Sequence, residues 1–127
     1  RGAFLVTKQC LPHIYEQDRG HIVVISSLWA KRFCAQCSAY TAAKFGVRGF
    51  AQSLREEARP HNVKVTNVMP GTVDTPFFDK TDWETDLSQA LQPEDVASTV
   101  VHALQLPDRA AIEEVTIQAI MPDQCTC

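Results

Sequence analysis

Tyr40 and Lys44 stand four residues apart in S-A-Y-T-A-A-K-F-G. On a helix that spacing makes them neighbours on one face. A phenol has an unperturbed pKa of about 10, too high for proton exchange at neutral pH. An ammonium one turn away favours the phenolate and lowers that value. The pair could therefore pass a proton to and from a substrate oxygen. Taken alone, Tyr-x-x-x-Lys recurs by chance, and an aromatic core residue beside a lysine with an extended stem is the plainer reading. Two further features change the balance. Ser27 lies 13 residues before Tyr40, at the end of the run H-I-V-V-I-S-S, and Pro70-Gly71-Thr72-Val73-Asp74-Thr75 follows a second such run, V-K-V-T-N-V-M. Ser26 and Ser27 could simply cap their strand through local hydrogen bonds, and Pro70-Gly71 could be a plain turn. Their joint occurrence in this order points to one site.

The elements that would position these residues can be read from periodicity. Phe4, Leu5, Leu11 and Ile14 recur at helical spacing, so a helix is expected from Ala3 to Tyr15, kinked or loosened at Pro12 and ended by Arg19-Gly20. His21–Ser26 is an unbroken β-branched run, which suits a strand buried on both faces. Residues 27–37 are irregular, with Ser38 as the expected N-cap of a helix from Ala39 to Arg59. Tyr40, Ala43, Lys44, Val47, Phe50, Ala51 and Leu54 form its stripe. Gly46 and Gly49 each cost that helix about 1 kcal/mol relative to Ala. Val63–Met69 is a second strand, closed by Pro70-Gly71. Thr72–Gln92 has no clear period, and connections that long are uncommon unless functional or internally structured. Pro93-Glu94-Asp95 opens a third helix, whose inner face is Val96, Ala97, Val100 and Leu104. Glu113–Ile120 reads as a third strand, followed by a frayed tail. The order α-β-α-β-α-β predicts a parallel sheet with right-handed crossovers. Such sheets bind ligands at the carboxyl ends of their strands, where Ser27 and Pro70–Thr75 fall.

The stretches G-H-I-V-V-I-S-S, S-A-Y-T-A-A-K-F-G-V-R-G-F and V-K-V-T-N-V-M-P-G-T-V-D-T-P, with Q-P-E-D-V-A opening the last helix, resemble the short-chain dehydrogenase/reductase family. The resemblance runs from Arg1 to about Gln118. It implies part of a Rossmann-like doubly wound α/β sheet and an NAD- or NADP-dependent oxidoreductase that interconverts a carbonyl and a secondary alcohol. It implies Tyr40 as acid/base and Ser27 as the group that holds the substrate oxygen. Lys44 would lower the Tyr40 pKa and hold the nicotinamide ribose. Pro70, Gly71, Val73 and Thr75 would line the cofactor site, with Val73 and Thr75 on the nicotinamide carboxamide. The expected partners are a small carbonyl or alcohol substrate and, in the intact protein, copies of itself.

The departures from the family pattern are equally informative. The five glycines, at positions 2, 20, 46, 49 and 71, build neither G-x-G-x-x-G nor a P-loop. The family's cofactor selector and its Asn-Ala-Gly strand end are missing too. The expectation is a single partial domain, residues 1–127, corresponding to the C-terminal half of such an enzyme and truncated on its N-terminal side. Alone it should neither turn over nor bind NAD(P)H well, and its first strand should be an open apolar edge. The competing expectation is a non-catalytic truncated chain that binds an intact relative, or a gene-model fragment. The first helix and the exposed stripe of the Tyr40 helix match faces through which the family commonly dimerises.

Composition bounds the remaining classes. In 127 residues, 45% apolar and 21% charged, there is one domain's worth of core. A net charge of −3 argues against a nucleic-acid partner. The longest aliphatic run, Ile22–Ile25, is far short of a membrane span. Five cysteines are too few for a disulfide scaffold. Cys34-x-x-Cys37 and Cys125-x-Cys127 are 87 residues or more apart, so incidental reduced thiols are expected rather than a metal or redox site. The expected location is the cytoplasm. His13, His21, His61 and His102 show no ligand spacing, and solvated positions are expected for most. Trp29, Phe77, Phe78 and Trp83 could line a substrate pocket or pack a loop.

Overall fold

In the computed structural model, residues 1–33, 35–81 and 86–120 are described. Helix α1 (Gly2–Glu16) leads into strand β1 (Gly20–Ile25), then α2 (Ser38–Ala58), β2 (Val63–Pro70), α3 (Pro93–Leu104) and β3 (Glu114–Ile117). Single 3₁₀ turns lie at Leu28–Ala30, Arg59–His61 and Phe78–Lys80. The strands are parallel in the order β1-β2-β3, with Ile25 opposite Val68 and Pro70 opposite Ile117. The fold is the α/β arrangement that the element order predicts.

The core forms where α1 and α2 meet the sheet. Val24, Val63 and Val65 pack with Ala51, Leu54 and Ala58, and Leu11, Ile14, Ile22, Val47 and Phe50 close around them. The small residues of α2 admit the strands closely. At Gly20 the approach is closer still: a Cβ there would lie 2.5 Å from Ile14 Cγ2. β2 is buried at seven of its eight positions, as a central strand covered on both faces must be. α3 also packs against it.

Several expectations are corrected. Only Val24 of β1 is fully buried, and Ile25 is 57% exposed. Among the described residues β1 pairs with β2 alone, which is the edge position expected for it. α1 runs through Pro12 without a break, its last turns held by Leu11 and Ile14 in the core. Cys37, not Ser38, occupies the α2 N-cap position, and no side chain caps that end. β3 is shorter than Glu113–Ile120 because its ladder to β2 begins at Asn67↔Glu114 and ends at Pro70↔Ile117. The segment 72–92 carries the 3₁₀ turn at Phe78–Lys80 and is pinned at its base. There Val73 bridges Leu91, with Asp74 N–H on Leu91 O at 2.8 Å and Leu91 N–H on Thr72 O at 3.0 Å. Gln92 and Asp95 form a reciprocal capping box that starts α3 beside Pro93. Cys34, Trp83 and the tail after Ile120 lie outside the described residues.

Candidate active site

The carboxyl ends of β1 and β2 open on a cleft of about 380 Å³. Ser27, Tyr40 and Lys44 line it, and so do Pro70, Gly71, Val73 and Thr75. The structure thus brings together every site residue expected from the sequence. The topology explains why. β1 and β2 are adjacent and parallel, so both deliver their following loops to one edge, and α2 returns across that edge with Tyr40 in its first turn.

Ser26, Ser27 and Lys44 each have a defined local partner. The Ser26 N–H donates to Val68 O at 2.8 Å, extending the β1–β2 ladder by one residue. The Ser26 hydroxyl donates to Asn67 Oδ1 at 2.7 Å, and both residues are buried. Ser26 is thereby locked to β2, and its carbonyl accepts from Lys44 Nζ at 2.9 Å. Lys44 Nζ also lies 5.4 Å from the centre of the Tyr40 ring. Burial lowers the Lys44 pKa below the ordinary lysine value. The Ser27 oxygen accepts the Trp29 N–H at 3.2 Å and so starts the 3₁₀ turn. Local capping is therefore part of what Ser27 does, but a hydroxyl that accepts one bond keeps its own proton to donate.

Trp29, Phe77 and Phe78 also line the cleft, and the two phenylalanine rings meet edge to face at 5.2 Å. Solvated positions are expected for most of the four histidines, but only His13 and His102 are exposed. His21 and His61 are not. His21 Nε2 lies 2.7 Å from Thr66 Oγ1, and His61 stacks on Tyr15 at 3.9 Å. Cys10 is free and exposed, and Cys37 is buried. Among the described residues no group of three His, Cys, Asp or Glu could hold a metal ion.

Three residues escaped the sequence reading. Asn67 anchors Ser26. Arg48, one turn beyond Lys44, forms a bidentate pair with Glu114, Nε–Oε1 at 2.9 Å and Nη2–Oε2 at 3.0 Å. The available signal was the four-residue repeat Tyr40, Lys44, Arg48, Gln52; nothing local marks their partners on β2 and β3.

Comparison with known proteins agrees with this architecture. A family model described as short chain dehydrogenase matches residues 1–86. The chain is 38% identical over 125 residues to a sepiapterin reductase of Chlorobaculum tepidum, covering 97% of this chain and 50% of that protein. Serine dehydrogenase from Escherichia coli superposes with a TM-score of 0.78 at 30% identity, over 91% of this chain and 47% of that one. A metagenomic short-chain oxidoreductase solved in complex with NADP gives a TM-score of 0.74 at 32% identity, over 94% of this chain and 47% of that one. The chain spans about half the length of the curated relatives it matches. With a doubly wound type of parallel sheet and a Ser, Tyr-x-x-x-Lys and Pro-Gly set at its carboxyl edge, the chain belongs to the short-chain dehydrogenase family. No helix among the described residues is long and apolar enough to cross a membrane.

Proposed function

We propose that residues 1–127 carry the catalytic end of an NAD(P)-dependent oxidoreductase that interconverts a carbonyl and a secondary alcohol. The observation that carries this reading is the convergence of Ser27, Tyr40 and Lys44 on one cleft, with Lys44 tied to the strand end that bears the serine. Ser27 donates a hydrogen bond to the substrate oxygen and holds it in place, keeping its own proton. Tyr40 gives a proton to that oxygen in reduction and takes it back in oxidation. Lys44 keeps a positive charge beside the phenol.

The residues present fit the nicotinamide end of a dinucleotide. Lys44 uses one ammonium proton on Ser26 O, leaving two donors for ribose hydroxyls. Pro70, Gly71, Val73 and Thr75 line the adjoining wall, where Val73 and Thr75 would hold the carboxamide. When bound, the cofactor supplies the hydride. No glycine-rich turn for a pyrophosphate occurs in these 127 residues, so the fit is limited to the nicotinamide end. The NADP complex of one structural relative makes NADP the first cofactor to test, with NAD as the other.

A homo-oligomer fits the exposed Phe4, Leu5 and Val6 of α1 and Phe45 of α2. The open β1 edge favours a second reading, a chain that docks onto an intact relative without turning over. One experiment separates the two. The protein expressed from its complete reading frame is assayed for NADPH- and NADH-linked reduction of a panel of small ketones and aldehydes, alongside Ser27→Ala. Turnover lost in Ser27→Ala supports the enzyme; a wild-type protein inert across the panel but retained by an active relative supports the docking chain.

A further inference from the structure

Tyr40, Lys44, Arg48 and Gln52 recur every four residues along one face of α2. Tyr40 and Lys44 line the cleft. Arg48 and Gln52 leave it and converge on one carboxylate, Glu114, at the first position of β3. Two parallel bonds from Arg48, at 2.9 and 3.0 Å, make a fork on both Glu114 oxygens, the most directional arrangement an ion pair offers. Gln52 Nε2 adds a bond to Oε1 at 3.1 Å, and Lys31 Nζ stands 3.7 Å from Oε2. The fourth link is Arg48 Nη1 to Ala30 O at 3.5 Å. The Glu114 side chain is 17% exposed and that of Arg48 28%, so water competes weakly for the pair.

These links join the two segments that carry the candidate chemistry. Ala30 and Lys31 belong to the turn that starts at Ser27; Arg48 and Gln52 belong to the helix that carries Tyr40 and Lys44. The apolar contacts of α2, through Ala51, Leu54 and Ala58, are non-directional, whereas hydrogen-bonded ion pairs are not. A forked ion pair fixes both the sliding and the rolling of the helix. A misplacement of about 1 Å is enough to cost on the order of 10²-fold in rate.

We propose that Glu114 is a positioning residue: acting through Arg48, it sets the rotation and axial register of α2 and so holds Tyr40 and Lys44 against Ser26 and Ser27. The proposal rests on the oxidoreductase reading of the cleft. It is tested in the complete protein with Glu114→Gln, Arg48→Ala, Glu114→Ala and the Arg48→Ala/Glu114→Ala double variant. The protein is labelled with fluorotyrosine, the Tyr40 resonance being assigned by its loss in Tyr40→Phe. The expected result is a moved Tyr40 resonance with Tyr15 unmoved, and a fall in kcat of at least about tenfold with KM within about threefold. The double variant should be no worse than the poorer single one, because both remove one clamp. Glu114→Gln keeps the side-chain shape and secures a folded variant for comparison. A lowered melting temperature with an unmoved Tyr40 resonance and unchanged kcat would make the pair a structural tie and overturn the proposal. A moved Tyr40 resonance in a protein with no turnover would support the clamp and count against the oxidoreductase reading instead.

Discussion

Lys44 donates to the carbonyl of Ser26 at 2.9 Å, so the strand end that presents the serine hydroxyls also fixes the ammonium of the helix. That ammonium sits half-buried, and burial lowers its pKa below the ordinary lysine value. Its charge is therefore lost at a lower pH than a solvated lysine's. Activity that needs the charge is expected to decline on the alkaline side before the ordinary lysine value of about 10.4 is reached. Lys44→Arg keeps a cation at every accessible pH and should move this alkaline limb upward. A pH–rate profile of both proteins checks it; a limb that stays in place in Lys44→Arg belongs to another group.

The Glu114 carboxyl is held below the usual carboxylate range chiefly by the hydrogen bonds from Arg48. Between its lowered folded value and its ordinary value, the unfolded chain binds more protons than the native one. The stabilisation is therefore complete above the ordinary value and is lost as pH falls through the lowered one. Glu114→Gln should cost about 1.5–3 kcal/mol near neutral pH, and the gap to wild type should close on acidification. Urea titrations at about pH 7 and about pH 3 measure the gap; an equal gap at both would contradict this origin.

Gly20→Ala should destabilise the fold by about 1–3 kcal/mol, because the added methyl meets a core side chain. The methyl would stand 2.5 Å from Ile14 Cγ2. Combining it with Ile14→Ala should cost less than the sum of the two single changes. Additive losses in thermal unfolding would show that α1 and β1 do not press on each other there.

Cys34→Ser with Cys37→Ser should leave activity and metal content unchanged. Elemental analysis of the purified protein reads this directly; stoichiometric zinc lost in the double variant would reverse it.

Much of the site is legible in the chain because its parts are local. Tyr40 and Lys44 share a helical face, and Ser27 and Pro70-Gly71 follow short β-branched runs that suit strands. What binds these parts together is not local. Arg48 and Glu114 are 66 residues apart, and Ser26 and Asn67 are 41 apart, so no periodicity announces either pair. The I-V-V-I run shows that β1 is apolar, but hydropathy alone does not say how deeply each position is covered, and only Val24 is buried. Pro12 predicts a loosened helix end from backbone chemistry alone, whereas Leu11 and Ile14 hold that end by packing. Ser38 has the chemistry of a cap, yet the helix starts one residue earlier than that chemistry suggests, with Cys37 buried at its end.

Tyr40→Phe separates proton transfer from binding. The phenyl ring keeps the packing and removes the one proton the account assigns to the substrate oxygen. In the complete protein, carbonyl reduction should fall by about 10² to 10⁴-fold while NAD(P)H affinity, read by cofactor fluorescence, changes little. A Tyr40→Phe rate within about threefold of wild type would contradict Tyr40 as the acid, and with it the reading of the cleft.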